Sequence, residues 1–128
     1  MGDGEARVQL SSHPTSAVAA RRFVHEALDG WGCEERDAVL VCTDELVTNA
    51  IVHVSSDIEV VVCRRADVIR VEVHDASPRP PLRRVHRPDA DSGRGLQVVE
   101  ALSARWGVDP AAGGKVVWFE VPGTADAT

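Results

Sequence analysis

Two runs rich in β-branched residues, Ile58 to Cys63 and Val68 to Val73, are separated only by Arg64, Arg65, Ala66 and Asp67. A connector this short predicts an antiparallel hairpin, and the remaining elements must be arranged around it. Ala6 to Leu10 alternates apolar and polar residues as a first strand would, and Arg105 to Asp109 and Lys115 to Val121 form a further strand pair across a turn at Gly113 and Gly114. Three helical patterns lie between the strands. The first starts at Ser12, His13 and Pro14, runs through Leu28 and ends at Gly30 and Gly32. Glu34 and Glu35 suit the positive end of a second, which carries apolar residues to Val54. Leu96, Val98, Val99 and Leu102 give a third, ending near Ser103, with Gly93, Arg94 and Gly95 just before it. The order β, α, α, β, β, loop, α, β, β places strands in adjacent pairs. It predicts an α+β two-layer sandwich, a mixed and mostly antiparallel sheet covered on one face by helices.

The 128 residues suffice for one domain with its own core, expected over about 6–122, followed by a polar tail at 123–128. The longest unbroken apolar run is Ala38 to Cys42, which predicts no membrane span and no secretory signal, and hence a cytoplasmic protein. The charge balance of 14 Lys+Arg against 20 Asp+Glu, net -6, argues against generic binding to nucleic acid. Arg79, Arg83, Arg84 and Arg87 form a local basic stretch in a loop punctuated by Pro78, Pro80, Pro81 and Pro88. Three cysteines without C-x-x-C spacing read as buried free thiols, and five histidines without an H-E-x-x-H pair give no zinc protease. No G-x-S-x-G elbow suggests a hydrolase.

The second helix carries the most chemistry. At about 100° per residue, Val39, Leu46, Val47, Ala50 and Val54 share one arc, and Asp44 and Thr48 lie well away from it, free to face water. Glu45 and Asn49 stack one turn apart between Ala38, Val41, Cys42 and Val52, on a side that is otherwise apolar. A carboxylate and an amide there need partners. They are either a pair bonded to each other at the edge of the core or a metal and nucleotide site, in which the amide oxygen ligates Mg²⁺ and the carboxylate takes a proton. Asp75 ends a strand at a loop, which is either a turn cap or a ligand contact. Gly93, Arg94 and Gly95 offer backbone N–H groups to a phosphate, but Val98 stands where a Rossmann fingerprint needs its last glycine, and Gly113-Gly114-Lys115 lacks the rest of a P-loop.

Taken together, Glu45-Leu46-Val47-Thr48-Asn49-Ala50-Ile51-Val52-His53, a strand ending in Asp75, Gly93-Arg94-Gly95-Leu96 and Gly114-Lys115-Val116-Val117-Trp118-Phe119-Glu120 resemble the ATP-binding domain (Bergerat fold) shared by gyrase, heat-shock chaperones, histidine kinases and mismatch-repair ATPases. Within it, the chain is most similar to stand-alone, actinobacterial-type anti-sigma factor serine/threonine kinases, over about Phe23 to Pro122. The resemblance implies a kinase that uses ATP and Mg²⁺ to phosphorylate a serine of an anti-anti-sigma (STAS-type) partner and that also binds a sigma factor. It implies Asn49 as the Mg²⁺ ligand, Glu45 as the base, and Asp75 as acceptor for the adenine amino group. It places His53, Ser77, Gly93, Arg94, Gly95, Leu96 and Val116 against the nucleotide, with 77–92 as a lid. Relatives carry D-x-G-x-G where this chain has Asp75-Ala76-Ser77-Pro78-Arg79, and a threonine where it has Val116. The alternative is a regulatory module that grips a protein and uses ATP only as a ligand or not at all. Members of the family often work as homodimers, and nothing in the spacing requires one here.

Overall fold

The computed structural model describes residues 4–53, 56–76 and 91–123. Its elements are β1 (Gly4–Leu10), α1 (Thr15–Asp29), α2 (Arg36–His53), β2 (Ile58–Arg65), β3 (Val68–Asp75), α3 (Asp91–Leu102), β4 (Arg105–Ala111) and β5 (Gly114–Pro122). The strands form one sheet in the order β1-β2-β3-β5-β4. Each described pairing is antiparallel. The sheet is therefore not mixed: β2–β3 and β4–β5 are hairpins, and the two helices between β1 and β2 leave and re-enter the sheet at the same end, where Leu10 pairs with Ile58.

The hairpin is tighter than its sequence suggests. Arg64 and Arg65 belong to β2, Arg65 pairs with Val68, and only Ala66 and Asp67 turn the chain, with Ala66 at φ 56°. Arg64 is buried because its side chain has work on the helix side of the sheet. Its guanidinium donates to the carbonyl of Trp31, just past the end of α1, and to that of Ala66.

Alternation along the strands sorts the two faces. Ala6, Val62, Val71, Phe119 and Trp106 form one continuous row across all five strands toward the helices, and Val8, Val60, Val73, Val117 and Val108 form the next. Ala20, Val24 and Leu28 of α1, Val39, Cys42, Leu46 and Val47 of α2, and Leu96 and Val99 of α3 close over these rows. The fully buried Phe119 is the largest side chain of this core. On the other face Trp118 lies over Gly107, where a Cβ would come within 2.7 Å of the indole, and Arg70 stacks on the same ring 4.1 Å from its centroid. Arg70 also reaches Glu72 and Glu120, so charged side chains rather than helices cover this face.

Cys42 and Cys63 are buried free thiols and Cys33 is half-buried; burial pushes Cys42 up to about 11, so it stays protonated. Among the described residues no helix is long and apolar enough to cross a membrane.

Candidate functional site

The strands share one axis, which gives the sheet two distinct ends. Leu10, Ile58, Asp75 and Lys115 mark one end of the sheet, and Gly4, Arg64, Val68 and Pro122 mark the other. α2 packs against β3 and β5 and brings its C-terminal half to the first end. The backbone N–H of Ala104, just past α3, donates to Glu120 at the second end. The N-terminus of α3 therefore points back toward the first end, about 18 Å away at the usual rise per residue.

A narrow cleft opens between α2 and the sheet at that first end, lined by Leu46, Asn49, Ala50, Val73, Asp75, Lys115 and Val117. Four of these are apolar and form its walls. The cavity as it stands is about 10 Å³, the room of a single water. Its polar groups come from α2, β3 and β5. Asn49 is 8% exposed, and its Nδ2 is buried with no hydrogen-bond partner. Of the two alternatives the sequence leaves open, the bonded Glu45–Asn49 pair is not made by this amide nitrogen. Glu45 is half-buried one turn earlier, and burial, then the neighbouring Asp44, raises its carboxyl above the ordinary value. Asp44 is partly exposed and lies 3.9 Å from Arg21, and Thr48 faces water as its place on the helix predicts.

Asp75 is neither a plain turn cap nor exposed. Its side chain is 1% exposed, and Lys115, at 7%, places Nζ 3.0 Å from both Oδ1 and Oδ2. The two residues are direct partners in the β3–β5 register. Lys115 is not among the residues the sequence assigns to the nucleotide, although it lies in the Gly114 to Glu120 stretch that carries the resemblance. Parity was the available signal: Val71, Val73 and Asp75 alternate inward on one strand, and Phe119, Val117 and Lys115 on the other. The same parity corrects Val116, which pairs with His74 on the opposite face of the sheet; Val117 is the residue that lines the cleft.

The apolar side of α2 also differs from expectation. Val41 and Val52 are 43% and 61% exposed, because α1 and α3 flank α2 without enclosing that arc. Gly93, Arg94 and Gly95 lie within the first turns of α3 and not before it, since the helix starts at Asp91. The N–H groups of a helix's first turn have no partner within the helix, and Gly93 and Arg94 fall in that turn. Leu96 is a core residue, 2% exposed. The backbone of His53 ends α2 at the cleft end. Ser77, the lid and its four arginines lie outside the described residues.

The cleft thus brings together an apolar lining, a buried carboxylate paired with a lysine, and a buried amide nitrogen without a partner. Among the described residues no group of three or more His, Cys, Asp or Glu could hold a metal. A hard cation here would thus take Asn49 and ligand phosphates rather than a protein cage.

A family model described as the histidine kinase-like ATPase domain matches residues 10–121. No curated protein matches the sequence. Among solved structures the fold is similar to the crystal structure of the RsbU and RsbW domains of Rv1364c from Mycobacterium tuberculosis, at 20% identity and a TM-score of 0.69, over 98% of this chain and 34% of that one. This chain thus spans about a third of the length of that one.

Proposed function

We propose, from the premise that this chain belongs to the histidine kinase-like ATPase domain family, that it is an ATP- and Mg²⁺-dependent regulatory protein. It phosphorylates a serine of an anti-anti-sigma (STAS-type) partner and holds a sigma factor when that partner is absent. The observation that supports nucleotide binding most is the buried Nδ2 of Asn49 without a partner on the wall of the cleft, since such a group is costly unless a ligand completes it.

In this reading Leu46, Ala50, Val73 and Val117 enclose the base and exclude water, and Asp75 accepts from its amino group. Asn49 holds the cation, and the first-turn N–H groups of α3 face the phosphates. Mg²⁺, when bound, neutralises charge on the transferring phosphoryl group. The serine Oγ attacks the γ-phosphorus, the bond to the β-phosphate oxygen breaks, ADP leaves, and the hydroxyl proton passes to Glu45. The raised affinity of Glu45 for a proton suits a base.

Titration of the chain with ATP by calorimetry, with and without Mg²⁺, tests binding. It is expected to be saturable and Mg²⁺-assisted, and weakened by Asn49→Ala. Transfer of labelled phosphate to a STAS-type protein tests the reaction: Glu45→Ala lowers it about 10²-fold or more and leaves ATP binding nearly unchanged. A second reading is a module that grips a partner without catalysis. It is supported by the narrowness of the cleft, which has room for one water, and it predicts no Glu45-dependent transfer at any ATP concentration.

A further inference from the structure

We propose that Lys115 reads the base together with Asp75, donating from Nζ to the ring nitrogen N1 of adenine while Asp75 accepts from the adjacent amino group. The inference rests on the nucleotide reading above and adds to it a specificity-determining residue.

Lys115 and Asp75 face each other across β3 and β5 in the lining of the cleft, with Nζ 3.0 Å from each carboxylate oxygen and both side chains nearly inaccessible to water. The neighbouring walls are apolar. A ligand pushed against this pair loosens the ion pair and displaces any water around it. In so dry a place, separating the charges without replacing their contacts is costly. An amine would serve the carboxylate and leave the ammonium facing an apolar group; a carbonyl would do the reverse. The ligand that enters at least cost therefore carries a donor and an acceptor side by side on one flat edge. The amino group and N1 of adenine are such an edge, with the donor to Asp75 and the acceptor to Lys115. A purine in the same placement with an oxygen at position 6 and a proton on N1 sets acceptor against carboxylate and donor against ammonium, and is rejected.

The backbone holds the two strands together beside the pair. Gly114 packs so closely on β3 that a Cβ there would collide with the carbonyl of Asp75 and lie 2.8 Å from Cα of Ala76. The start of β5 is thus held against the end of β3, which keeps the Lys115 and Asp75 backbones opposite each other.

The test is calorimetric titration of the wild-type chain and of Lys115→Met with Mg²⁺·ATP and with 1-deaza-ATP, in which N1 is replaced by C–H. A hydrogen bond from a charged donor is worth about tenfold or more in affinity, so the wild type is expected to bind 1-deaza-ATP at least about tenfold more weakly than ATP. Lys115→Met is expected to bind both nucleotides equally, each more weakly than the wild type binds ATP. Equal binding of ATP and 1-deaza-ATP by the wild type overturns the proposal and leaves the nucleotide reading standing, as does a Lys115→Met chain that keeps the preference for N1. Failure of the folded wild type to bind either nucleotide overturns both. The wild-type comparison needs no substitution and decides the matter even where Lys115→Met, which strips Asp75 of its buried cation, does not fold.

Discussion

Glu45 and Asn49 sit one turn apart on the same helix and have different surroundings. Asn49 is enclosed by the cleft, whereas Glu45 is half-buried beside Asp44. The carboxyl of Glu45 is raised, so the folded chain binds its proton more tightly than the unfolded chain does. Its contribution to stability is full below the unfolded value and is lost as pH rises through the folded one. Glu45→Gln is therefore expected to raise Tm at pH 7, and the gain should shrink as melting is repeated toward pH 4; a gain that is unchanged by pH would contradict the assignment. Phosphate transfer, if Glu45 is the base, falls with acidification at a pH above the ordinary glutamate value. Both residues were legible in the sequence as a spaced pair on one helix. Lys115 was not, because its meaning lies in its partner across the sheet, and a one-residue choice of parity decides which side chain reaches the cleft.

At the scale of elements, the β3–β5 contact governs the cleft. Gly114→Ala is expected to destabilise the chain by about 1–3 kcal/mol, the usual cost of overpacking, and to weaken ATP binding, because relief requires the two strands to part beside Asp75 and Lys115. Denaturant melting and calorimetry on the same variant check both. The elements themselves were largely visible: β-branched runs marked the hairpin, and helical spacing with proline and glycine marked α1. What escaped was their fine placement. The turn of the hairpin shrank to Ala66 and Asp67 because Arg64 finds carbonyl partners inside, and no propensity reports a partner 33 residues away. The glycines before α3 proved to lie in it, since helix boundaries depend on a few terminal hydrogen bonds that sequence patterns locate only loosely.

The whole molecule is held by one core that runs across all five strands, with Phe119 on β5 its largest fully buried side chain. Phe119→Ala is expected to cost about 3–5 kcal/mol, read as a fall in denaturant midpoint with one cooperative transition rather than separate loss of helices and sheet. The layered architecture followed from the order of the elements. That every described pairing is antiparallel did not, because strand order depends on where β4 and β5 return after α3. That return also fixes the geometry of attachment. β1 begins and β5 finishes at the end of the sheet away from Asp75 and Lys115, with Gly123 bonded to Asp67 of the hairpin turn. Seven or eight strand residues at about 3.3 Å each put roughly 25 Å between those points and the cleft. A bulky label on the exposed Arg65, at that far end of the sheet, should therefore leave the affinity for ATP unchanged.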